Sequence, residues 1–391
     1  MNSRIHKIWK IAAREVRTIG IDHSLLLTVL LAPLLYAFFY GSIYINKEEV
    51  NVPMALVDDD RSALSRLLTE QYNNTQVLDV VPAKDIEEAK YLLHTGKVQG
   101  FLYIEKGLEE KVMALQQANI VLAVSVSRFL PPSDLLSAVT QVSMTVSAGV
   151  RLQYFQKKGS SEAIAMRETN PVALDYRPLF NERTSYGAYL LPGLLMLILQ
   201  QTLLIGLAAS MARERQENSL KELYRMAGNS FTAAFAGKGV FYFILFSVYA
   251  LFFLTVNFSI LKLPVRGNYF TLAILIGLFI ATLIPMALWL GSLFRTQVLA
   301  VQIMGFSTYP FFLITGYAWP YEELPWLLKV LSALLPTTPF LQAYTSVVQQ
   351  GGDTWQILLH VAHLAALWLL YAVLLAISVK KKMNDGPLRN I

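Results

Sequence analysis

Six long apolar stretches dominate this sequence and limit the folds that it can adopt. Each is close to the roughly 20 residues that a helix needs to cross the hydrocarbon core of a bilayer. None carries a charge near its middle, and only 15% of all residues are charged. The sequence therefore predicts a polytopic α-helical membrane protein with six transmembrane helices. They are expected at 25–45, 186–212, 239–261, 270–294, 300–317 and 357–379.

The distribution of basic residues predicts the orientation of these segments. Lys and Arg concentrate before the first segment, between the second and third, and after the sixth. Basic loops are retained in the cytoplasm, so both termini are expected there. This bias accounts for most of the net charge of +6, and a nucleic-acid partner is not indicated. We predict a multi-pass membrane protein.

Residues 46–185 differ from the rest of the chain. They hold 15 basic and 18 acidic residues, and strand patterns alternate with helix patterns. We predict an inserted extracytoplasmic α/β domain between the first and second transmembrane helices, ending in a helical arm. Strands are expected at 52–57, 77–81, 98–104 and 120–127. Helices are expected at 61–72, 84–94, 106–116 and, for the arm, 133–158.

Two further segments are predicted from helical spacing. Residues 1–23 form an amphipathic helix at the inner membrane surface, followed by the first transmembrane helix at 24–45. Residues 186–391 form a five-helix bundle that includes a charged cytoplasmic loop near 213–228. In that loop a short helix begins at Asn218 or Ser219, with Leu220, Leu223 and Met226 on one face. Such a helix lies on lipid or binds a cytoplasmic protein, and its mixed charges favour the protein.

Few residues in the sequence suggest a catalytic or metal-binding site. Asp58, Asp59 and Asp60 follow the first predicted strand, where carboxylates can hold Mg²⁺ or act as nucleophiles. Capping of the next helix by Asp60 or Ser62 is the favoured interpretation. The sequence has no G-x-x-x-x-G-K-[ST], H-E-x-x-H or G-x-S-x-G motif and no cysteine. We therefore predict no catalytic residue, no metal site and no cofactor in this chain.

His360 and His363 share a helix face and leave an intramembrane enzyme as one alternative, although an interfacial polar pair is favoured. A membrane sensor with an extracytoplasmic ligand-binding domain is the other alternative. Uncharged polar residues in the spans are candidates for a substrate pathway, and interhelical hydrogen bonding is their competing role. They are Gln200, Gln201, Gln302 and Thr308.

Four stretches resemble the permease subunits of type-2 ABC exporters, in the drug and lipid efflux branch. An interfacial helix leads into a first span with Pro33 and Gly41. Residues 55–62 (ALVDDDRS) are similar to the family's VVDxDxS, and residues 213–223 (RERQENSLKEL) to its REREEGTLEQL. Residues 315–320 (TGYAWP), 324–326 (LPW) and 335–339 (LPTTP) resemble its fifth-to-sixth connection. Asn218 stands where the family has glycine, and residues 226–228 replace its Thr-Pro pair.

The resemblance implies a permease that moves a hydrophobic or amphipathic small molecule, powered by separate ABC ATPase subunits that carry ATP and Mg²⁺. It implies a second permease copy, identical or paralogous, and leaves open a periplasmic adaptor. The inner loop would be the coupling helix, and the re-entrant segment near 319–339 an outer gate with Trp319, Pro320 and Trp326. The implied coupling residues are Arg213, Glu214, Glu217, Asn218, Ser219, Leu220, Glu222, Leu223 and Met226.

Overall fold

The chain forms two compact units. The computed structural model describes residues 2–43, 50–114, 116–125, 130–169, 179–181 and 185–384. Residues 1–45 and 178–391 form one unit, here called the helical unit, and residues 46–177 form the other, the sheet unit. Each unit has a hydrophobic core of its own.

The helical unit begins with α1 (Asn2–Ile21) and α2 (His23–Ile43). One face of α1 is buried through Ile11 and Ile19, whereas Trp9 on the other face is exposed. The predicted N-terminal amphipathic helix is therefore present. The first predicted span is α2, and its last two predicted residues, 44 and 45, lie outside the described ranges.

A wide π-helical turn interrupts α2 at Leu27–Leu31. Wide turns of this kind interrupt the regular hydrogen bonding of an α-helix. The Tyr249 hydroxyl, from a later helix, donates to the Leu30 carbonyl at 3.0 Å. The wide turn is thus held by a side chain from outside the helix.

The sheet unit alternates strands with helices, as predicted. The strands are β1 (Val52–Asp58), β2 (Leu78–Pro82), β3 (Gly100–Ile104) and β4 (Ile120–Val124). The helices are α3 (Ala63–Asn73), α4 (Ile86–His94), α5 (Leu108–Met113), α6 (Leu130–Lys157) and α7 (Glu162–Thr169). Part of the fourth predicted strand, residues 126 and 127, lies outside the described ranges.

The sheet is mixed, in the order β2-β1-β3-β4. β1 runs parallel to β2 and β3, and β4 pairs antiparallel with β3. Side chains alternate between two faces, so Met54 and Leu56 join one core and Ala55 and Val57 another. The helix predicted for the arm is present as α6, and its Leu135 is fully buried in the first of these cores.

Two of the three aspartates at the end of β1, Asp58 and Asp60, accept hydrogen bonds from backbone N–H groups. Asp58 accepts the N–H groups of Asp60 and Arg61, at 3.0 and 2.9 Å. Ser62 caps α3, which confirms one of the two predicted caps. Asp60 instead accepts three backbone N–H groups at the start of α5. Its slight burial opposes ionisation, but hydrogen bonds from Ser62 and these N–H groups outweigh burial and lower its pKa.

The helical unit continues with the remaining elements. They are α8 (Tyr186–Gln216), α9 (Leu220–Met226), α10 (Phe231–Ile260), α11 (Tyr269–Leu293), α12 (Gln297–Ile314), α13 (Trp326–Ala333), α14 (Thr337–Val348) and α15 (Leu358–Asn384). Within the described residues, six helices are long and apolar enough to cross a membrane, as predicted: α2, α8, α10, α11, α12 and α15. The second of these spans, α8, is buried along most of its length.

Glycines allow the central spans to approach closely. A Cβ atom built at Gly291 on α11 would lie 2.4 Å from the Ala208 carbonyl oxygen of α8, which belongs to the backbone and cannot rotate away. By contrast, a Cβ built at Gly277, also on α11, would meet nothing within 4 Å. The contact between α8 and α11 therefore depends on the absence of a side chain at position 291.

We expect Gly291→Ala to destabilise the protein by about 1–3 kcal/mol, because the added methyl group must push two helix backbones apart. Gly277→Ala is the matched control on the same helix and should be neutral or slightly stabilising. Thermal unfolding of the detergent-solubilised protein, followed by size-exclusion chromatography, measures both. Equal melting temperatures for the two variants would contradict this packing.

Candidate functional site

The short helix α9 lies between two left-handed turns. Asn218 has a φ of 53°, and Gly228 and Asn229 have φ values of 66° and 58°. The first turn ends α8, with the Ser219 N–H bound to the Glu214 carbonyl at 2.9 Å. Asparagine and glycine tolerate this conformation best, so the glycine of the family motif and Asn218 here meet the same backbone requirement.

The apolar face of α9 points into its own chain. Leu223 is only 1% exposed, and Leu220 and Met226 pack partly against the helical unit's core. The predicted helix is present, and the structure turns its three apolar side chains toward the core of its own chain. The face left open is polar and carries both signs of charge, through Glu217, Asn218, Lys221, Glu222 and Arg225.

Four charged side chains meet beside this helix and are called here the inner charge cluster: Arg14, Glu15, Glu214 and Lys238. Lys238 is 1% exposed, and its Nζ atom lies 2.7 Å from Glu15 Oε2 and 3.0 Å from Glu214 Oε1. The Arg14 guanidinium donates to both oxygens of Glu214, at 2.6 and 3.2 Å. Two cations thus balance two carboxylates.

Hydroxyl groups complete the coordination of the two carboxylates. Ser210 and Tyr242 donate to Glu15, the latter at 3.4 Å. Ser219, the residue before α9, donates to the Glu214 carboxylate instead of capping its own helix. Burial opposes the charge on Arg14, but the hydrogen bond and charge of Glu214 outweigh it and raise the pKa of Arg14.

The cluster joins elements that are far apart in the sequence. Arg14 and Glu15 belong to α1, Glu214 to the end of α8, and Lys238 to the start of α10. Through Ser219 the cluster also reaches the start of α9. A buried charge that loses its partner costs about 3–5 kcal/mol, so these elements are held in one arrangement.

The C-terminal end of α8 makes further ionic contacts. Arg213 pairs with Glu217 at 2.7 Å and with Asp22 at 3.4 Å. Arg215 donates to three carbonyls at the end of α11, at 2.8–3.3 Å, which suits the negative end of a helix. Slight burial opposes ionisation of Asp22. The hydrogen bond from Gln297 is the largest of the opposing effects. Together with backbone hydrogen bonds and the charge of Arg213, it outweighs burial and lowers the pKa of Asp22.

The four residues predicted to line a substrate pathway do not lie together in the structure. Gln200 accepts from Thr337 on α14, and Gln201 donates to the Met304 carbonyl on α12. These two side chains are buried and form hydrogen bonds between helices, which is the alternative to a role in a substrate pathway. Gln302 is exposed on α12, and the half-buried Thr308 bonds to Gly305 within its own helix.

The predicted gate residues lie on the surface of the helical unit. Trp319 and Pro320 follow α12, and Trp326, which begins α13, is 75% exposed. Packing in this region is instead made by the exposed Tyr189 and the buried Tyr317, whose hydroxyls donate to each other's carbonyls while their rings stack. A Cβ at Gly193 would overlap the Tyr317 ring.

His363 is engaged with the backbone, because its Nε2 atom lies 2.8 Å from the Ala333 carbonyl. This contact fits the favoured interpretation of a structural polar pair. Among the residues that the structure describes, no group of three or more His, Asp or Glu side chains is placed to hold a metal ion.

Sequence reasoning missed the cluster partners Glu15 and Lys238 as site residues. A signal for both is visible in the sequence. Glu15 is a lone carboxylate near the apolar face of α1, and Lys238 is a lone cation at the start of an apolar run. Charges at such positions require a partner, because an isolated charge is costly in an apolar environment.

Comparison with known proteins gives a consistent result. Residues 23–379 match the family described as ABC-2 family transporter protein. The chain is 20% identical over 387 residues to "Probable multidrug ABC transporter permease YbhS" of Escherichia coli strain K12, covering 97% of this chain and 98% of the relative. It is 23% identical over 341 residues to "Probable multidrug ABC transporter permease YbhR" of the same strain, covering 86% and 88%.

A third relative is "Inner membrane transport permease YhhJ" of the same strain, 19% identical over 355 residues that cover 89% of this chain and 90% of the relative. The family match extends from the first span to the last, over both units. The chain therefore belongs to the ABC-2 family of transporter proteins and is a membrane permease subunit of an ABC exporter.

Proposed function

We propose that this permease moves a hydrophobic or amphipathic small molecule, drug-like or lipid-like, out of the cytoplasm or the inner leaflet. Separate ATPase subunits power the movement, and ATP and Mg²⁺ bind to them. The observation that carries the proposal concerns α9. Its polar face is exposed, and Ser219, the residue before it, is hydrogen-bonded to Glu214 of the inner charge cluster. The relatives' names, which describe multidrug permeases, support this class of cargo.

In this proposal α9 is the coupling helix and its polar face is the contact with the ATPase. Glu217, Asn218 and Glu222 meet the partner, with Lys221 and Arg225 beside them. Leu220, Leu223 and Met226 hold the helix to its own chain, so a displacement of α9 reaches α1 and α10 directly. Glu214 and Ser219 link that displacement to α1 and α10. Coupling requires that ATPase closure favours one arrangement over another.

A second permease copy completes the transport pathway in this proposal. The outward face of α12 is exposed and strongly apolar, with Phe306 at 88% and Tyr309 at 69% exposure. Gln302 and Thr308 lie on the same helix. Because uncharged polar groups are costly against lipid, a facing copy that leaves a pathway between the two chains accounts for their position.

The proposed orientation places α9 and both termini in the cytoplasm of a bacterium and the sheet unit on the outer side of its inner membrane. The basic residues near α1, α9 and the C-terminus support this orientation. The segment at 319–339 then lies at the outer surface, where it serves as the outer gate. A periplasmic adaptor, if one takes part, meets the sheet unit.

The orientation is open to a direct test, because the chain has no cysteine. Single cysteines introduced as Tyr91→Cys in the sheet unit and Asp353→Cys before α15 should react with a membrane-impermeant maleimide added to spheroplasts. Lys221→Cys on α9 should react only after the membrane is permeabilised. Labelling of Lys221→Cys in intact spheroplasts would reverse the orientation.

We expect Glu222→Lys to uncouple ATP hydrolysis from transport, because it reverses a charge on the open face of α9. Transport in proteoliposomes containing the permease and its ATPase should fall about tenfold or more, while the melting temperature stays unchanged. Glu70→Lys, which reverses an exposed carboxylate on α3 of the sheet unit, is the matched control. Normal transport by the Glu222→Lys variant would remove α9 from the coupling contact.

A second test concerns the inner charge cluster. Lys238→Met leaves Glu15 buried without a cation and should lower the free energy of unfolding by about 3–5 kcal/mol. Adding Glu15→Gln removes the unpaired charge and should restore most of the stability. We expect the double variant to remain uncoupled, because the ionic link between α1 and α10 is lost. Full coupling in that variant would limit the cluster to a structural role.

A further inference from the structure

A small cleft lies at the end of the helical unit where α8 begins. Apolar side chains form most of its wall, and its volume is about 80 Å³. That is about half of the roughly 150 Å³ of an apolar cavity that holds benzene, so the cleft accepts a short stretch of hydrocarbon, not a whole molecule. Its principal lining residues are Ala188, Tyr189, Pro192, Leu263, Arg266 and Gln349.

One wall of the cleft is fixed by hydrogen bonds. The Tyr189 ring stacks on Tyr317 at a centroid distance of 5.3 Å, with planes 4° apart. The Gln349 amide donates to the Tyr189 carbonyl at 3.0 Å and to the Tyr317 hydroxyl at 3.3 Å. These contacts hold the aromatic wall in place, so the cleft is preformed.

Arg266 supplies the charge at this cleft. Its backbone N–H is bound to the Val348 carbonyl at 3.0 Å, which fixes the loop before α11 beside the end of α14. Its side chain is exposed, and no carboxylate of the described ranges forms an ion pair with its guanidinium. An arginine beside an apolar cleft offers bidentate hydrogen bonding to a phosphate or carboxylate.

We propose that this cleft binds an anionic amphiphile, with a phosphate or carboxylate on Arg266 and hydrocarbon against Tyr189 and Pro192. The inference rests on the orientation in the proposed function, which places this end of α8 at the outer membrane surface. A lipid of the outer leaflet and a single-chain amphiphile share this chemistry. Because Tyr189 and Gln349 also hold Tyr317, the bound molecule touches the residues that fix the segment after α12.

Native mass spectrometry of the purified full-length chain, without its ATPase, tests the site. The probes are phosphatidylglycerol, phosphatidylcholine and dodecyl phosphate, each added to the protein in a neutral detergent. We expect retention of one phosphatidylglycerol or one dodecyl phosphate in preference to phosphatidylcholine. Arg266→Gln should weaken that binding about tenfold, the effect of losing one charge-assisted contact, and Arg266→Lys should weaken it less.

Three variants serve as controls. Ala188→Phe fills the cleft and should abolish binding even with Arg266 present, provided that its melting temperature is that of the wild type. Leu263→Phe fills the cleft from another wall if Ala188→Phe is unstable. Arg295→Gln removes an exposed arginine between α11 and α12 and should bind as the wild type does.

The two anionic probes distinguish a lipid from a single-chain amphiphile as the bound molecule. Phosphatidylglycerol retention that depends on Arg266 supports a lipid, and retention of dodecyl phosphate alone supports a single-chain amphiphile. Equal binding by the wild type, Arg266→Gln and the cleft-filled variant overturns the site, as does retention of neither anionic probe. Glu222→Lys, which tests coupling, should bind as the wild type does, so failure of the coupling proposal is distinguishable from failure of this one.

Discussion

The buried ammonium group of Lys238 is the constraint on which the packing of α1, α8 and α10 depends. A lysine with 1% exposure is tolerated only with anions beside it, and Glu15 and Glu214 supply them from two other helices. Glu214 is balanced in turn by Arg14. The positions of α1, the end of α8 and the start of α10 are therefore fixed by one electrostatic requirement. The short helix α9 shares it, because the Ser219 hydroxyl is bound to the same carboxylate.

This arrangement changes how α9 can meet another protein. An amphipathic helix commonly binds a partner through its apolar face, and here that face is already occupied by the core of its own chain. The surface that remains is small and polar, with charges of both signs. Contacts of that kind favour specificity and orientation over affinity. Under the proposed function, such a surface suits a permease that changes its contacts with an ATPase during each cycle.

The sequence predicts some levels of this structure better than others. Long apolar runs and strand–helix alternation define the six spans and the sheet from local spacing alone. Hydrogen-bond partners distant in the sequence are not encoded locally, so nothing near Asp60 indicates that it receives the first N–H groups of α5. Likewise, the spacing of Leu220 and Leu223 predicts a shared face, but only the tertiary structure shows that this face is turned inward. Lys238 and Glu15 could each be recognised as needing a partner of opposite charge, but the sequence does not indicate which residue that partner is.

The wide turn in α2 limits how the helical unit can rearrange. Tyr249 on α10 occupies the Leu30 carbonyl within that turn, so the first and third spans share a hydrogen bond at membrane depth. Sliding one past the other would expose this carbonyl to hydrocarbon, at a cost of several kcal/mol. This hydrogen bond therefore opposes sliding between the two spans. Shear meets less resistance at helix boundaries that lack such a hydrogen bond.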